Sequence, residues 1–185
     1  RFPTLDALAR ADEAEALKLW EGLGYYSRCR NLLSAARTIA ATWNGCVPED
    51  PESLMTLPGI GPYTAGAIAG IAFNRPVPAV DANARRVVSR LEGRPFRNDR
   101  DVASFLAGII PADEPRMFNQ ALMELGALVC TASRPSCDVC PLNSACKGRS
   151  SGEVRVASAA PAAPKPTRVS AAAVLLHEGK VFLRR

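Results

Sequence analysis

The sequence predicts a mainly α-helical domain, followed by a linker and the beginning of a β-containing segment. Apolar residues recur at helical spacing over the first part of the chain, and no strong strand pattern precedes Cys130. Four cysteines then fall between Cys130 and Cys146. Residues 148–167 are rich in Ala, Pro, Ser and Gly, a composition that is typical of linkers.

Helix-start residues divide the first part of the chain into short helices. Thr4 and Asp12 are suitable N-caps, and each precedes an apolar-periodic stretch. Asp50-Pro51 favours another helix start, because proline is tolerated at the first helical position. The remaining predicted helices cover residues 27–43, about 63–73, from 81 onwards, 102–109 and 115–128.

After the linker, the sequence predicts one β-hairpin. Residues 169–176 and 180–183 read as strands on either side of His177-Glu178-Gly179. Because a single hairpin is not stable alone, we expect it to begin a second domain. Since Arg1 carries neither an initiator methionine nor a signal-peptide pattern, we also expect the chain to begin inside a longer protein.

The composition excludes two classes of protein. With 185 residues, 48% hydrophobic and 22% charged, the chain is neither disordered nor membrane-like, and no apolar run is long enough to span a bilayer. The net charge of +5 suits a polyanionic partner without establishing one. Clustered cysteines are unlike a disulfide scaffold and indicate a local metal or cluster site in a reducing compartment.

A glycine-rich hairpin, Leu57-Pro58-Gly59-Ile60-Gly61-Pro62, joins two predicted helices. Two glycines let the backbone turn tightly and approach a ligand closely. The N–H groups at the start of the next helix can hold a phosphate, which would be a sequence-independent grip on DNA. A helix–helix connection without a ligand is the alternative.

Asp81 lies at a predicted helix start, in Val80-Asp81-Ala82-Asn83. Capping alone would explain an aspartate there. A carboxylate at a helix start can also stabilise positive charge that develops at the anomeric carbon of a sugar. The two roles are compatible.

The four clustered cysteines have the spacing Cys-x6-Cys-x2-Cys-x5-Cys; they are Cys130, Cys137, Cys140 and Cys146. Four thiolates on a short loop can bind a tetrahedral zinc ion or an iron–sulfur cluster. The spacing differs from that of a zinc ribbon, which has two Cys-x2-Cys pairs. Arg134, Lys147 and Arg149 could contact phosphate or simply be solvated.

The order of these three motifs resembles that in the helix–hairpin–helix superfamily of base-excision DNA glycosylases. The resemblance implies a glycosylase core with a 4Fe–4S cluster loop over residues 1–147, a linker over 148–167, and the truncated start of a Nudix-like α+β domain over 168–185. It implies that the four cysteines bind the cluster. It also implies that Gly59, Ile60 and Gly61 contact DNA.

Within that superfamily, the chain resembles the A/G-specific adenine DNA glycosylases (the MutY family). Endonuclease III-type members place a lysine nucleophile where this chain has Tyr63, and a tyrosine cannot form a Schiff base. Tyr63 therefore implies a monofunctional enzyme that releases the base by hydrolysis. Gln120 falls where the family brings a side chain to the flipped adenine, and an amide can hydrogen-bond an adenine edge.

Residues 20–28, Trp-Glu-Gly-Leu-Gly-Tyr-Tyr-Ser-Arg, are similar to the family's minor-groove reading segment. By resemblance, Leu23 and Tyr25 contact or wedge beside the 8-oxoguanine opposite the target. An apolar or aromatic wedge suits a stack from which a base has been extruded. We expect Trp20 and Tyr26 to lie in the core and Tyr25 to lie outside it.

The resemblance also implies a mechanism. A glutamate protonates adenine, and the glycosidic bond breaks with oxocarbenium character. Asp81 would stabilise the cation, while Tyr63 and Asn83 would order the site and its water. The partner would be double-stranded DNA with an A:8-oxoguanine or A:G mismatch. We expect a monomeric, cytoplasmic protein that is associated with the bacterial nucleoid and has no contact with a membrane.

Two other functions stay open at this point. One is another cluster-bearing glycosylase, either for thymine mismatches or of the endonuclease III type; Tyr63 weighs against the latter, and the C-terminal hairpin weighs against both. The other is a non-catalytic DNA-binding module, against which the presence of Asp81 weighs.

The family's glutamate acid corresponds to a position before Arg1, so we predict that this 185-residue chain alone is inactive or nearly so. The measurement is adenine release from a duplex with adenine opposite 8-oxoguanine. Robust adenine excision by the isolated chain would contradict the prediction.

Overall fold

A computed structural model describes residues 1–152 together with residues 175–177 and 180–182. Within these ranges the chain forms helices and one short hairpin. The α-helices, in chain order, are α1 (Leu5–Ala9), α2 (Glu13–Leu19), α3 (Tyr26–Thr42), α4 (Pro51–Met55), α5 (Pro62–Ala67), α6 (Ala82–Glu92), α7 (Asp99–Ala107), α8 (Pro115–Glu124) and α9 (Lys147–Ser150). Two π-helical turns, Ile68–Ala72 and Leu125–Val129, extend α5 and α8.

The helix starts that were predicted from capping residues are confirmed. The hydroxyl of Thr4 accepts a hydrogen bond from the N–H of Ala7, and the carboxylate of Asp12 accepts two at the start of α2. Asp50 accepts from the N–H of Ser53 at 2.8 Å, and this interaction holds the pKa of the Asp50 carboxyl below its usual value.

Three hydrophobic clusters form the core of the part of the chain that the structure describes. The first joins α3, α4 and α5; its buried members are Ala35, Ile39, Leu54, Leu57, Ala65 and Ala69. The second brings α6 against α7, and its buried members are Val80, Val88, Phe96, Val102 and Leu106. The third packs α2 on α3 through Ala11, Ala16, Cys29 and Leu33. Helix α3 belongs to two clusters and connects the N-terminal helices to the glycine-rich hairpin.

An extended segment, residues 77–80, leads from the end of α5 to Asp81 and lies directly against α5 and its π turn. Two glycines allow this approach. A Cβ atom at Gly66 would lie 2.5 Å from the carbonyl oxygen of Pro78, and one at Gly70 would lie 2.6 Å from that of Val77. Since real side chains do not tolerate such distances, glycine at these two positions lets the segment pass.

Asn119 of α8 also holds this segment. Its side chain is buried, with 1% of the residue exposed. The amide oxygen accepts from the N–H of Ala79 at 2.8 Å, and the amide nitrogen donates to the carbonyl of Val77 at 3.0 Å. One buried amide thus satisfies both polar backbone groups and sets the path of the chain into Asp81.

The predicted C-terminal hairpin is confirmed within the described residues. Strand β1 (Leu175–His177) pairs antiparallel with β2 (Lys180–Phe182), with Leu175 opposite Phe182. His177, which was predicted in the turn, is the last residue of β1, while residues 169–174 of the predicted first strand lie outside the described part. Residues 148–150, which begin the predicted linker, belong to helix α9, and the linker from residue 153 onward is not among the described residues.

Across the described residues, no helix is both long enough and apolar enough to cross a membrane.

We predict that Asn119→Ala lowers the free energy of unfolding by about 2–4 kcal/mol, because it leaves the buried N–H of Ala79 and the half-buried carbonyl of Val77 without partners. Urea unfolding followed by circular dichroism measures this. The control is Gln120→Ala, the next residue along α8, which is exposed and should change stability by no more than about 0.5 kcal/mol. Equal effects of the two substitutions would contradict the role of Asn119.

Candidate active site and cysteine loop

Asp81 caps helix α6 and has a fixed carboxylate. One carboxylate oxygen accepts from the N–H of Ala84 at 2.7 Å, as predicted for an N-cap. The other accepts from the side-chain amide of Asn83 at 2.9 Å. The residue is half-buried, so its charge acts in a less screened environment than at an open surface. Asp81 and Asn83, both predicted site residues, are therefore in direct contact.

Asn83 continues the contact toward the cysteine loop (residues 130–146). Its amide oxygen accepts from Nη2 of Arg86 at 2.7 Å. Arg86 also donates to the carbonyl of Gly126 at 2.6 Å and, through Nε, to the carbonyl of Cys130 at 2.8 Å. An unbroken series of hydrogen bonds thus runs from the Asp81 carboxylate to the backbone of the first cysteine.

Arg90 binds the cysteine loop one turn further along α6. The residue is 3% exposed, and a buried guanidinium requires acceptors. It donates to the carbonyls of Thr131 at 2.6 Å and Ala132 at 2.9 Å, and to Sγ of Cys130 at 3.3 Å. At the other end of the loop, the Cys146 thiol donates to the carbonyl of Arg90 at 3.4 Å. Helix α6 therefore holds both ends of the cysteine loop.

The four predicted ligands line one small cavity of about 30 Å³; they are the half-buried Cys130, Cys137, Cys140 and Cys146. In the described part of the chain, no three His, Cys, Asp or Glu side chains group closely enough to hold one metal ion. Four thiols around one cavity are a donor set that both an iron–sulfur cluster and a tetrahedral zinc ion accept.

Two of the basic residues near the loop form ion pairs. Arg149 contacts Asp138 at 2.8 Å, and Lys147 contacts Glu92 at 3.0 Å. The Asp138 carboxylate and the Cys137 thiol raise the pKa of Arg149. These pairs are partly exposed, and a phosphate could exchange with either carboxylate.

The glycine-rich hairpin needs its first glycine for two reasons. Gly59 has φ +77°, and a Cβ there would lie 2.5 Å from the side chain of Asn31 on α3. Ile60 is half-buried and packs on the cluster between α3, α4 and α5, which anchors the hairpin. Gly61 is exposed and is the N-cap of α5 without a side-chain cap, so the first N–H groups after Pro62 have no partner within the helix.

Tyr63 and Gln120 lie at the surface. Tyr63 is 45% exposed in the first turn of α5, and Gln120 is exposed on α8. Within residues 1–152, neither side chain shares a hydrogen bond with Asp81. The structure therefore brings Asp81 and Asn83 together and leaves these two side chains free to meet a ligand.

Comparison with known proteins shows the family to which this chain belongs. Residues 1–112 match the family described as HhH-GPD superfamily base excision DNA repair protein. The chain belongs to the HhH-GPD superfamily.

Several relatives of this HhH-GPD protein are named adenine DNA glycosylase. The chain is 45% identical over 158 residues to one from Mycolicibacterium smegmatis, covering 82% of this chain and 53% of that protein. It is 43% identical over 155 residues to one from Homo sapiens, covering 80% of this chain and 28% of that protein. The chain therefore spans about half the length, or less, of these curated relatives.

Solved structures of two other DNA repair proteins have a similar fold. An endonuclease III in a non-covalent complex with DNA superposes with a TM-score of 0.70 at 29% identity, covering 82% of this chain and 72% of that chain. A thermostable thymine-DNA glycosylase superposes with a TM-score of 0.73 at 25% identity, covering 80% of this chain and 70% of that chain. The mainly helical HhH-GPD fold is thus established.

In this HhH-GPD protein, both side chains of the reading segment (residues 20–28) that were predicted to contact DNA are exposed. Leu23 is 62% exposed and Tyr25 is 79% exposed. Three of the four residues from Gly22 to Tyr25 have positive φ: Gly22 at +85°, Gly24 at +65° and Tyr25 at +48°. The prediction that Tyr25 lies outside the core is confirmed.

The prediction that Tyr26 lies in the core is wrong, because the residue is 43% exposed. Tyr26 is the first residue of α3, and the buried face of that helix begins only at Cys29. Trp20, the other residue predicted in the core, is half-buried and packs on the cluster between α2 and α3. Its indole N–H donates to the carbonyl of Gly24 at 3.0 Å, so the ring also supports the loop.

Sequence reasoning missed the two arginines that tie α6 to the cysteine loop. Their spacing could have revealed them. Asn83, Arg86 and Arg90 follow one another at intervals of three and four, which places them on one face of a helix that begins at Asp81. Gly126 was missed as well, although it lies within residues 1–147, the part of the chain that resembles the glycosylase core.

We predict that Gly126→Ala destabilises the protein by about 1–3 kcal/mol, since the new Cβ would lie 2.6 Å from Cβ of Asn83. Gly108→Ala is the matched control. A Cβ there meets nothing closer than 3.4 Å, and Gly108 has helical φ, so stability should change by no more than about 0.5 kcal/mol. Urea unfolding measures the stability of both variants. If the Gly126→Ala protein is as stable as the Gly108→Ala protein, the contact between Gly126 and Asn83 is not tight.

Proposed function

We propose that this chain is the helical core of a monofunctional adenine DNA glycosylase, which hydrolyses the N-glycosidic bond of adenine opposite 8-oxoguanine or guanine. The observation that carries the proposal is the Asp81 carboxylate, held by two hydrogen bonds at the start of α6. The identity of 43–46% to several proteins named adenine DNA glycosylase supports the choice of base.

Asp81 would act on the developing sugar cation. Departure of adenine leaves positive charge at the anomeric carbon, and a fixed carboxylate stabilises that charge without having to reorient. The Ala84 N–H and the Asn83 amide prevent the carboxylate from rotating away, and Arg86 in turn holds Asn83. Loss of the Asp81 charge should therefore affect the bond-breaking step rather than folding.

Tyr63 supports hydrolysis without strand cleavage. A lyase needs an amine to form a Schiff base with the opened sugar, and a phenol cannot provide one. The ring is 45% exposed in the first turn of α5, next to the hairpin that we assign to the DNA backbone. Water would thus be the nucleophile, ordered by Tyr63 and Asn83.

Protonation of adenine requires a general acid. Two described glutamates near the N-terminus are engaged elsewhere: Glu13 pairs with Arg30 at 3.0 Å and Glu15 pairs with Arg1 at 2.8 Å, all of them at the surface. We assign the role to neither.

Duplex DNA would contact three exposed elements. Gly59, Ile60 and Gly61 would bring the N–H groups at the start of α5 to a phosphate. Leu23 and Tyr25 would enter the minor groove beside the opposite base, and Gln120 would meet the extruded adenine. The similar fold of an endonuclease III in complex with DNA supports a DNA-binding role.

We further propose that the protein acts as a monomer in the bacterial cytoplasm and that β1 and β2 begin a Nudix-like domain.

A 4Fe–4S cluster is the cofactor that we propose for the cysteine loop. Cys130, Cys137, Cys140 and Cys146 would hold it, and their placement around one cavity supports this donor set. When bound, the cluster supplies cross-links that keep the loop folded. Arg90 and Arg86 then attach the loop to the helix that begins at Asp81.

We predict that Asp81→Asn reduces adenine release to background while duplex binding is retained. The protein is the gene product at its full natural length, and the substrate is a duplex with one adenine opposite 8-oxoguanine, analysed with and without alkali. The control is Asp50→Asn, which changes another helix-capping aspartate on α4 and should leave the rate unchanged. Strand breaks should appear only after alkali.

Each other outcome has a distinct meaning. Strand breakage without alkali would contradict the monofunctional assignment. Release of thymine or an oxidised pyrimidine, but not adenine, would assign the protein to another branch of the superfamily. Tight duplex binding without release of any base would indicate a DNA-binding module.

We predict four irons and four acid-labile sulfides for each chain of anaerobically purified protein. Cys140→Ser should lower the iron content and the stability together, because it removes one ligand of the cluster. Cys46→Ser changes an exposed cysteine outside the loop and should leave both unchanged. One zinc ion per chain, without sulfide, would contradict the cluster.

A further inference from the structure

Arg28 lies between two aromatic rings of the reading segment. Its guanidinium carbon is 5.8 Å from the ring centre of Trp20 and 5.2 Å from that of Tyr25. A guanidinium within about 6 Å of a ring face is attracted to the ring electrostatically. One planar cation therefore connects a half-buried ring with a ring on a residue that is 79% exposed.

The backbone at Tyr25 gives a reason for such a contact. Tyr25 has φ +48° and ψ +55°, a left-handed conformation that is uncommon for a residue with a Cβ. It is the N-cap of α3 and makes no side-chain capping hydrogen bond. Strained conformations of this kind persist where the surroundings hold them, and they occur often at ligand-binding sites.

Arg28 and Trp20 together hold the loop around Tyr25. The indole N–H of Trp20 donates to the carbonyl of Gly24 at 3.0 Å. The backbone N–H of Arg28 donates to the carbonyl of Tyr25 at 2.8 Å, and its guanidinium reaches the carbonyl of Leu23 at 3.5 Å. The loop is thus fixed from both sides while the Leu23 and Tyr25 side chains stay exposed.

We propose that Arg28 is a positioning residue that holds the Tyr25 ring ready for the minor groove and so sharpens recognition of the base opposite adenine. The inference rests on the proposed function, because it assumes that Tyr25 meets 8-oxoguanine. A ring that is already held in its binding orientation loses less conformational freedom when DNA arrives. Arg28 acts through Tyr25 and need not contact the damaged base.

The test compares two duplexes, both carrying a non-hydrolysable adenine analogue, opposite 8-oxoguanine in one and opposite thymine in the other. Binding of the full-length gene product to each gives a discrimination ratio. Arg28→Gln should lower this ratio about 3- to 10-fold, since it removes the cation from two rings. Arg28→Lys should lower it less, because a cation is retained without the planar group. Arg30→Gln, an exposed arginine on the same helix, should leave the ratio unchanged.

A double-mutant cycle separates an effect through Tyr25 from a direct DNA contact. In a Tyr25→Ala background, Arg28→Gln should cause no further loss of discrimination. An equal further loss in that background would overturn the proposal and make Arg28 a DNA contact. Full discrimination by the single Arg28→Gln protein would overturn it as well.

The near-ultraviolet circular dichroism of the DNA-free protein gives an independent readout. Arg28→Gln should change the tryptophan and tyrosine bands, because Trp20 and Tyr25 both face the guanidinium, whereas Arg30→Gln should not. An unchanged spectrum would contradict the positioning role. If the unmodified protein does not distinguish the two duplexes, the proposed function fails, and this spectrum alone decides whether Arg28 orders Tyr25.

Discussion

A cation in a protein interior needs hydrogen-bond acceptors, and helix α6 carries the buried Arg90 and, one turn before it, the half-buried Arg86. Arg90 donates hydrogen bonds to the carbonyls of Thr131 and Ala132. Arg86 donates to those of Gly126 and Cys130. Leaving a buried cation unpaired costs several kcal/mol, so the cysteine loop and the end of α8 must lie where these carbonyls reach α6. The same helix begins with Asp81. The candidate catalytic carboxylate and the candidate cluster site are consequently joined through one helix.

A second constraint acts on the segment that precedes Asp81. Asn119 binds residues 77–80 from α8, and Gly70 allows them to lie against the π turn that follows α5. Gly126, in the π turn that follows α8, similarly allows Asn83 to approach. Each π turn thus contains a glycine at a close contact, Gly70 with the segment that precedes Asp81 and Gly126 with a residue that follows it. The backbone is held on both sides of this one carboxylate.

The sequence predicted the features that depend on local chemistry. Capping aspartates revealed the starts of α2, α4 and α6, and helical spacing revealed α3 to within one residue at each end. The contacts of Arg86 and Arg90 could not be predicted in the same way, because they join residues about 40 positions apart. Local pattern also placed Tyr26 in the core, although the left-handed Tyr25 starts α3 in a position that leaves the ring of Tyr26 at the surface. The two π turns could not be predicted either, because no local sequence pattern distinguishes them from the α-helices that they extend.

If Asp81 is the catalytic carboxylate, it must lie at the sugar of an extruded adenine. The most direct measurement is a crystal structure of the full-length gene product bound to a duplex that carries a non-hydrolysable adenine analogue opposite 8-oxoguanine. In that structure we expect an adenine nucleotide outside the stack, with its anomeric carbon beside the Asp81 carboxylate and a phosphate at the start of α5. A duplex bound with the adenine still stacked, or on a face remote from Asp81, would contradict it.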